Sequence, residues 1–156
     1  MKNYRTWLWA AVVFLLLTAA IHATSFLVSP VPDNETERQL HELFTTYQKD
    51  LGGGFHRTFS DLFIALSSCF SFVCLLGGLI GAYLLRKNAS TEIVRGITLI
   101  QLIVFGAMFV VMVRFTFLPP IILTGLIVLT LAMAYIMLRF ETEKVGPQYE
   151  EISVAS

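Results

Sequence analysis

The chain has 156 residues, of which 56% are hydrophobic and 14% charged, against about 25% charged in an ordinary globular domain. A mean hydropathy of +0.72 places it outside the soluble single-domain class. The formal net charge is zero, so there is no electrostatic basis for binding nucleic acid. The charges fall between long apolar runs, as in a polytopic membrane protein whose first partner is the lipid bilayer.

The first apolar run covers 7–28. Lys2 and Arg5 precede it, and Ile21-His22-Ala23 resembles a signal-peptide cleavage site, but the run is too long for an h-region and reads as a retained membrane helix. Ala11, Thr18, His22, Ser25 and Ser29 share one side of that helix, which suits a packed or solvated interior.

A polar loop, 29–56, follows. Within it Leu40, Leu43, Phe44, Tyr47 and Leu51 recur at helical spacing. Pro32 and a capping box of Asn34 and Glu37 start the helix and Gly52 stops it. The spacing predicts an amphipathic helix over 35–51, lying on the membrane or capping the helices.

The second apolar run, 59–85, carries a stripe of small residues: Ser60, Ser67, Ser71, Cys74, Gly78 and Gly81, with His56 at its head. Gly77-x-x-x-Gly81 adds a small-xxx-small signal for close helix approach. Cys69 and Cys74 point about 140° apart on a helix and form no disulfide. The third and fourth runs, 97–118 and 121–138, are separated by Pro119 and Pro120, which end one helix and begin the next. Gln101 reads as polar glue between helices. Each run has at least about 18 residues, roughly 27 Å of helix, against a hydrocarbon core of about 30 Å. The expected fold is all-α: a polytopic four-transmembrane-helix bundle over 1–142, with an amphipathic loop helix and a polar, disordered tail over 143–156.

Lysines and arginines orient it. Lys2, Arg5, Arg86, Lys87, Arg95, Arg139 and Lys144 fall on one side, and Arg38, Lys49, Arg57 and Arg114 on the other. The excess on the first side predicts cytoplasmic termini and an outer 29–56 loop.

Several ionisable residues converge on the outer level. His22 lies roughly 22 Å along its helix from Trp7, and Arg114 roughly 27 Å from Gly96, while His56, Arg57 and Asp61 open the second helix. Arg57 and Asp61 are spaced to pair along one face. One reading makes the group structural: Asp61 is paired with Arg57 or Arg114, Arg114 snorkels to headgroups and His22 serves packing. The other makes it a water-accessible pocket that exchanges protons or binds an anionic headgroup. Gly52–Gly54 before a helix start offers a phosphate cradle. His22, His41 and His56 show no metal-ligand spacing, and no cofactor motif, nucleotide motif, Ser-His-Asp set or CxxC is present, so neither a metal nor a cofactor is expected.

His22 ending the first helix, the long loop, "GFHRTFSD" opening the second and "FLPP" before the fourth resemble a family of small four-pass bacterial membrane proteins to which no activity is assigned. That resemblance implies a bacterial inner membrane and no particular mechanism. Small multidrug transporters also have four helices, but they carry an acidic residue in the first, where this chain has His22. The expectation is a non-enzymatic membrane protein that packs with itself or a larger membrane complex. The alternative is a membrane enzyme or small transporter that uses the outer polar cluster.

Overall fold

The computed structural model describes residues 3–28 and 31–154, with side chains over 4–28 and 31–140. The order is α1 (Asn3–Ser25), α2 (Glu35–Thr46), β1 (Gln48–Asp50), β2 (His56–Thr58), α3 (Phe59–Arg86), α4 (Thr91–Phe115) and α5 (Leu118–Val154). Apart from one short hairpin the fold is all-α, and α1, α3, α4 and the first part of α5 are long and apolar enough to cross a membrane. In hydrocarbon the backbone has no water to bond, and a helix satisfies it internally. The chain is an integral membrane protein.

Two compact units divide the chain: residues 1–18 with 74–156, and residues 19–73. In the first, Leu8, Ala11, Val12 and Leu15 of α1 are buried with Cys74 and Leu85 of α3, Phe105 of α4 and Ile127, Leu131 and Leu138 of α5. Glycines set the separation of the helices. A Cβ on Gly78 would stand 2.7 Å from Leu16 Cδ2, one on Gly81 2.8 Å from Val12 Cγ2, and one on Gly77 3.0 Å from the Phe105 ring. Gln101 Nε2 donates to the Gly77 carbonyl at 3.0 Å, linking α4 to α3. Arg5 Nη2 donates at 2.8 Å to the Leu85 carbonyl, one of the last-turn carbonyls of α3 that lack a helical partner. Buried threonines turn back on their own helices: Thr98 to the Val94 carbonyl and Thr130 to the Leu126 carbonyl.

Helix ends differ from the sequence expectation for local reasons. Asn88 takes a left-handed conformation with φ of 50°, and the Ala89 N–H reaches the Leu84 carbonyl at 3.1 Å, an αL stop to α3. The Ser90 hydroxyl then accepts the Ile93 N–H. α4 therefore starts at Thr91, six residues before its apolar run. The tail expected to be disordered continues α5 to Val154; its Glu and Lys content favours helix, and it continues through Pro147, which removes one helical N–H. Ser29, Ala155 and Ser156 lie outside the described residues.

In the second unit, Asn34 caps α2, accepting the Glu37 N–H at 2.9 Å, while Glu37 accepts the Asp33 N–H at 2.9 Å. The helix expected over 35–51 ends at Thr46, and Gln48–Asp50 turns into a strand paired antiparallel with His56–Thr58. Gly52, Gly53 and Gly54 have φ of 83°, 63° and 82°, which only glycine adopts at little cost. Asp50 Oδ1 accepts the Gly52 N–H at 2.8 Å and pins the tip.

Gly78→Leu is expected to lower stability by about 1–3 kcal/mol, because its side chain has to displace Leu16. Leu79→Phe, at a position 54% exposed, is expected to change it by less than about 0.5 kcal/mol. Thermal unfolding in detergent micelles checks the pair. Equal values for the two variants would mean that the α1–α3 contact yields freely.

Candidate functional site

The β2–α3 junction gathers His56, Arg57 and Asp61. Thr58 opens α3, and its N–H donates to Asp61 Oδ2 at 3.0 Å while its hydroxyl accepts the Asp61 N–H at 3.1 Å. This reciprocal arrangement satisfies helix-start donors that have no intrahelical partner. The Asp61 carboxylate is thus held by the Thr58 backbone instead of forming the expected ion pair with Arg57. Arg57 turns away: its Nη1 donates to the His56 carbonyl at 2.9 Å, and its guanidinium stands 5.9 Å from the Phe55 ring centre. His56 pairs across the hairpin with Asp50. His56, Arg57 and Asp61 are all exposed. Gly52–Gly54, read as a phosphate cradle, form the hairpin tip, and the amide at the start of α3 is already occupied by Asp61.

His22 lies in the same unit, near the end of α1. Its ring is half-buried between Phe70 at 4.8 Å and Phe26 at 5.2 Å, both edge-on. His22 Nε2 and Ser71 Oγ are buried with no hydrogen-bond partner among the described residues, a state that costs about 1–3 kcal/mol per group. Arg114 belongs to the other unit, in the exposed last turn of α4, with its guanidinium 5.9 Å from the Phe115 ring. A cation there complements the helix C-terminus. Along α3, Ser71, Cys74, Gly77, Gly78 and Gly81 are buried and Ser67 half-buried.

His22, His41 and His56 do not meet, and no cluster of three His, Cys, Asp or Glu suited to a metal occurs among the described residues. Ion pairs lie on α2, where Arg38 contacts Glu35 at 2.6 Å and Glu42 at 3.9 Å. The Arg38 guanidinium holds the Glu35 carboxyl below the usual carboxylate range.

Sequence reasoning missed two features. The Thr58–Asp61 cap is visible as Thr-x-x-Asp before an apolar run. The open cleft of about 470 Å³ lined by Val31, Pro32, Glu37, Leu40, His41 and Phe44 has no signal of that kind, since it depends on how the 31–34 segment crosses α2.

The chain matches no family model, no curated protein and no solved structure.

If Thr58 and Asp61 act as one cap, Thr58→Ala and Asp61→Ala should each cost about 1 kcal/mol. The double variant should cost clearly less than their sum. Arg57→Gln should be close to neutral. Thermal unfolding of the parent, these four variants and an Asp61→Ala/Arg57→Gln double variant decides it: additive losses for Thr58 and Asp61 would dissolve the cap, and coupling of Asp61 to Arg57 would restore the ion pair.

Proposed function

We propose that this is a non-enzymatic integral membrane protein that packs with itself or with a larger membrane complex. The observation that carries the reading is the surface of α4. Only 11% of its most apolar stretch is buried, leaving Ile100, Ile103, Val110 and Val113 exposed. On the same helix a Cβ added to Gly106 would meet nothing within 4 Å among the described residues. A small residue on an open apolar face lets a second helix approach closely, and in lipid it is packing that drives helices together. At the β2–α3 junction, by contrast, the Asp61 carboxylate accepts from the Thr58 N–H and Arg57 donates to the His56 carbonyl.

Native mass spectrometry from lipid nanodiscs tests this. The parent is expected to carry more than one chain or a second membrane protein, and Gly106→Leu is expected to lose it. A strictly single-chain parent would remove the proposal. The resemblance to small four-pass bacterial proteins supports a bacterial inner membrane as the setting. The lysine and arginine distribution supports cytoplasmic termini. Single cysteines at Ser90 and Thr45, in a chain lacking Cys69 and Cys74, should report the topology. Thr45 should label with an impermeant thiol reagent in intact cells and Ser90 should not; the reverse pattern overturns the assignment.

A second reading attaches to His22. An imidazole with a buried, unpartnered Nε2 has a site left for a proton or a hydrogen-bonding ligand, which favours a small transporter that exchanges protons through this region. His22→Phe separates the readings. Under packing alone it should leave stability equal or raised, because an unsatisfied polar atom is removed. Under proton exchange it should abolish dissipation of a pH gradient by proteoliposomes containing the parent protein.

A further inference from the structure

The loop unit carries a second apolar face, independent of α4. α2 has no buried residue, although Leu40, Leu43, Phe44 and Tyr47 occupy one arc, about 160° from Glu35, Arg38 and Glu42. Leu40 and Leu43 are 65% and 62% exposed. On either side of the Gly52–Gly54 turn, Leu51 and Phe55 add 48% and 60% exposed side chains.

What covers this face follows from its attachment to α3. Tyr47 stacks on Phe59 with ring centres 6.2 Å apart, and Phe44 meets Phe63 edge-on at 6.1 Å. Phe59 and Phe63 occupy the first two turns of a membrane-crossing helix of 28 residues. That helix is about 42 Å long, against about 30 Å of hydrocarbon, leaving roughly 12 Å for the interfacial layers. Its polar first turn, with Ser60 and Asp61, falls in that excess. The α2 segment is tied to that turn through Phe59 and to the next through Phe63. From there α3 continues into the membrane with Phe63 and Leu66, 58% and 74% exposed, so the apolar face of α2 runs on into a lipid-facing surface.

We propose that α2 and the β1–β2 hairpin form an interfacial anchor, inserting this apolar face into the headgroup–acyl boundary of the leaflet in which α3 begins. An amphipathic helix seated in this way buries about 5–10 Å into that boundary. The polar face sets the lipid preference. That face of α2 carries Glu35 and Glu42 against a single Arg38, so insertion is driven by apolar burial and needs no anionic lipid.

The test uses the full chain, with Cys69 and Cys74 replaced by Ala and one spin label at Leu43 or Thr45, in phosphatidylcholine bilayers. The two positions lie about 160° apart on the helix. At residue 43 the ratio of accessibility to oxygen over accessibility to a water-soluble nickel complex should be several-fold higher than at residue 45, and adding phosphatidylserine should leave it unchanged. Equal nickel access at both positions would put the face in water. A residue 43 label shielded from both reagents would mean that a second copy or another protein covers it. Either result overturns the proposal. Because Cys74 is fully buried, a second measurement keeps both native cysteines: Tyr47→Trp with Trp7→Phe and Trp9→Phe. Its fluorescence should be quenched by lipids brominated near the headgroup end of the acyl chain, and the absence of quenching overturns the anchor.

Discussion

The requirement that no backbone polar group be left unpaired in hydrocarbon governs this molecule. It selects helices for the four apolar runs, and it dictates what happens wherever a helix ends or a polar side chain intrudes. The α3–α4 turn answers with Asn88 in a left-handed conformation and Ser90 as a cap. The end of α3 takes a donor from Arg5. Thr98, Thr124 and Thr130 bond carbonyls one turn back in their own helices, so a hydroxyl can be buried without a partner from another helix.

A second property of lipid explains the use of glycine between helices. With no hydrophobic drive between helices in lipid, contact has to come from close packing. On α3, Gly77, Gly78 and Gly81 leave room for Leu15, Leu16, Val12 and Phe105. At the hairpin, Gly52–Gly54 serve a different purpose, supplying three consecutive left-handed residues. One residue type thus brings helices together in one unit and turns the chain in the other.

The four spans were legible because an apolar run of membrane length can bury itself in little besides lipid, and the start of α2 was legible because Asn34 and Glu37 form a cap visible in four letters. The hairpin was not. Leu51 continues the helical spacing of Leu40, Leu43, Phe44 and Tyr47, and periodicity alone extends the helix to it. The left-handed glycines instead let Gln48–Asp50 return along His56–Thr58, placing Tyr47 opposite Phe59. The start of α4 was hidden for a related reason: hydropathy marks where lipid begins, whereas Ser90 marks where hydrogen bonding begins, about two turns earlier. Of the candidate site, residue positions were legible and bonds were not. As a charge near an apolar run Asp61 calls for a cation, although its spacing from Thr58 already makes it a cap.

That distinction bears on where chemistry can reside. A carboxylate engaged in capping a helix start is satisfied in the folded chain, whereas an exposed arginine that gives one of its five N–H donors to a neighbouring carbonyl keeps the rest for water or a ligand. His22 and Ser71 differ, because each buries a polar atom that no described group satisfies. In water such an atom is ordinary; inside an apolar helix pair it costs free energy that leucine or alanine would avoid. Both belong to the 19–73 unit, which also holds α2 and its cleft. The 1–18 and 74–156 unit bonds its buried polar side chains internally, with Thr18 the exception among the described residues, and offers lipid or a partner an apolar exterior. Two of the three buried polar atoms that no described group satisfies thus lie in the 19–73 unit, and the third, Thr18 Oγ1, closes the α1 segment of the other.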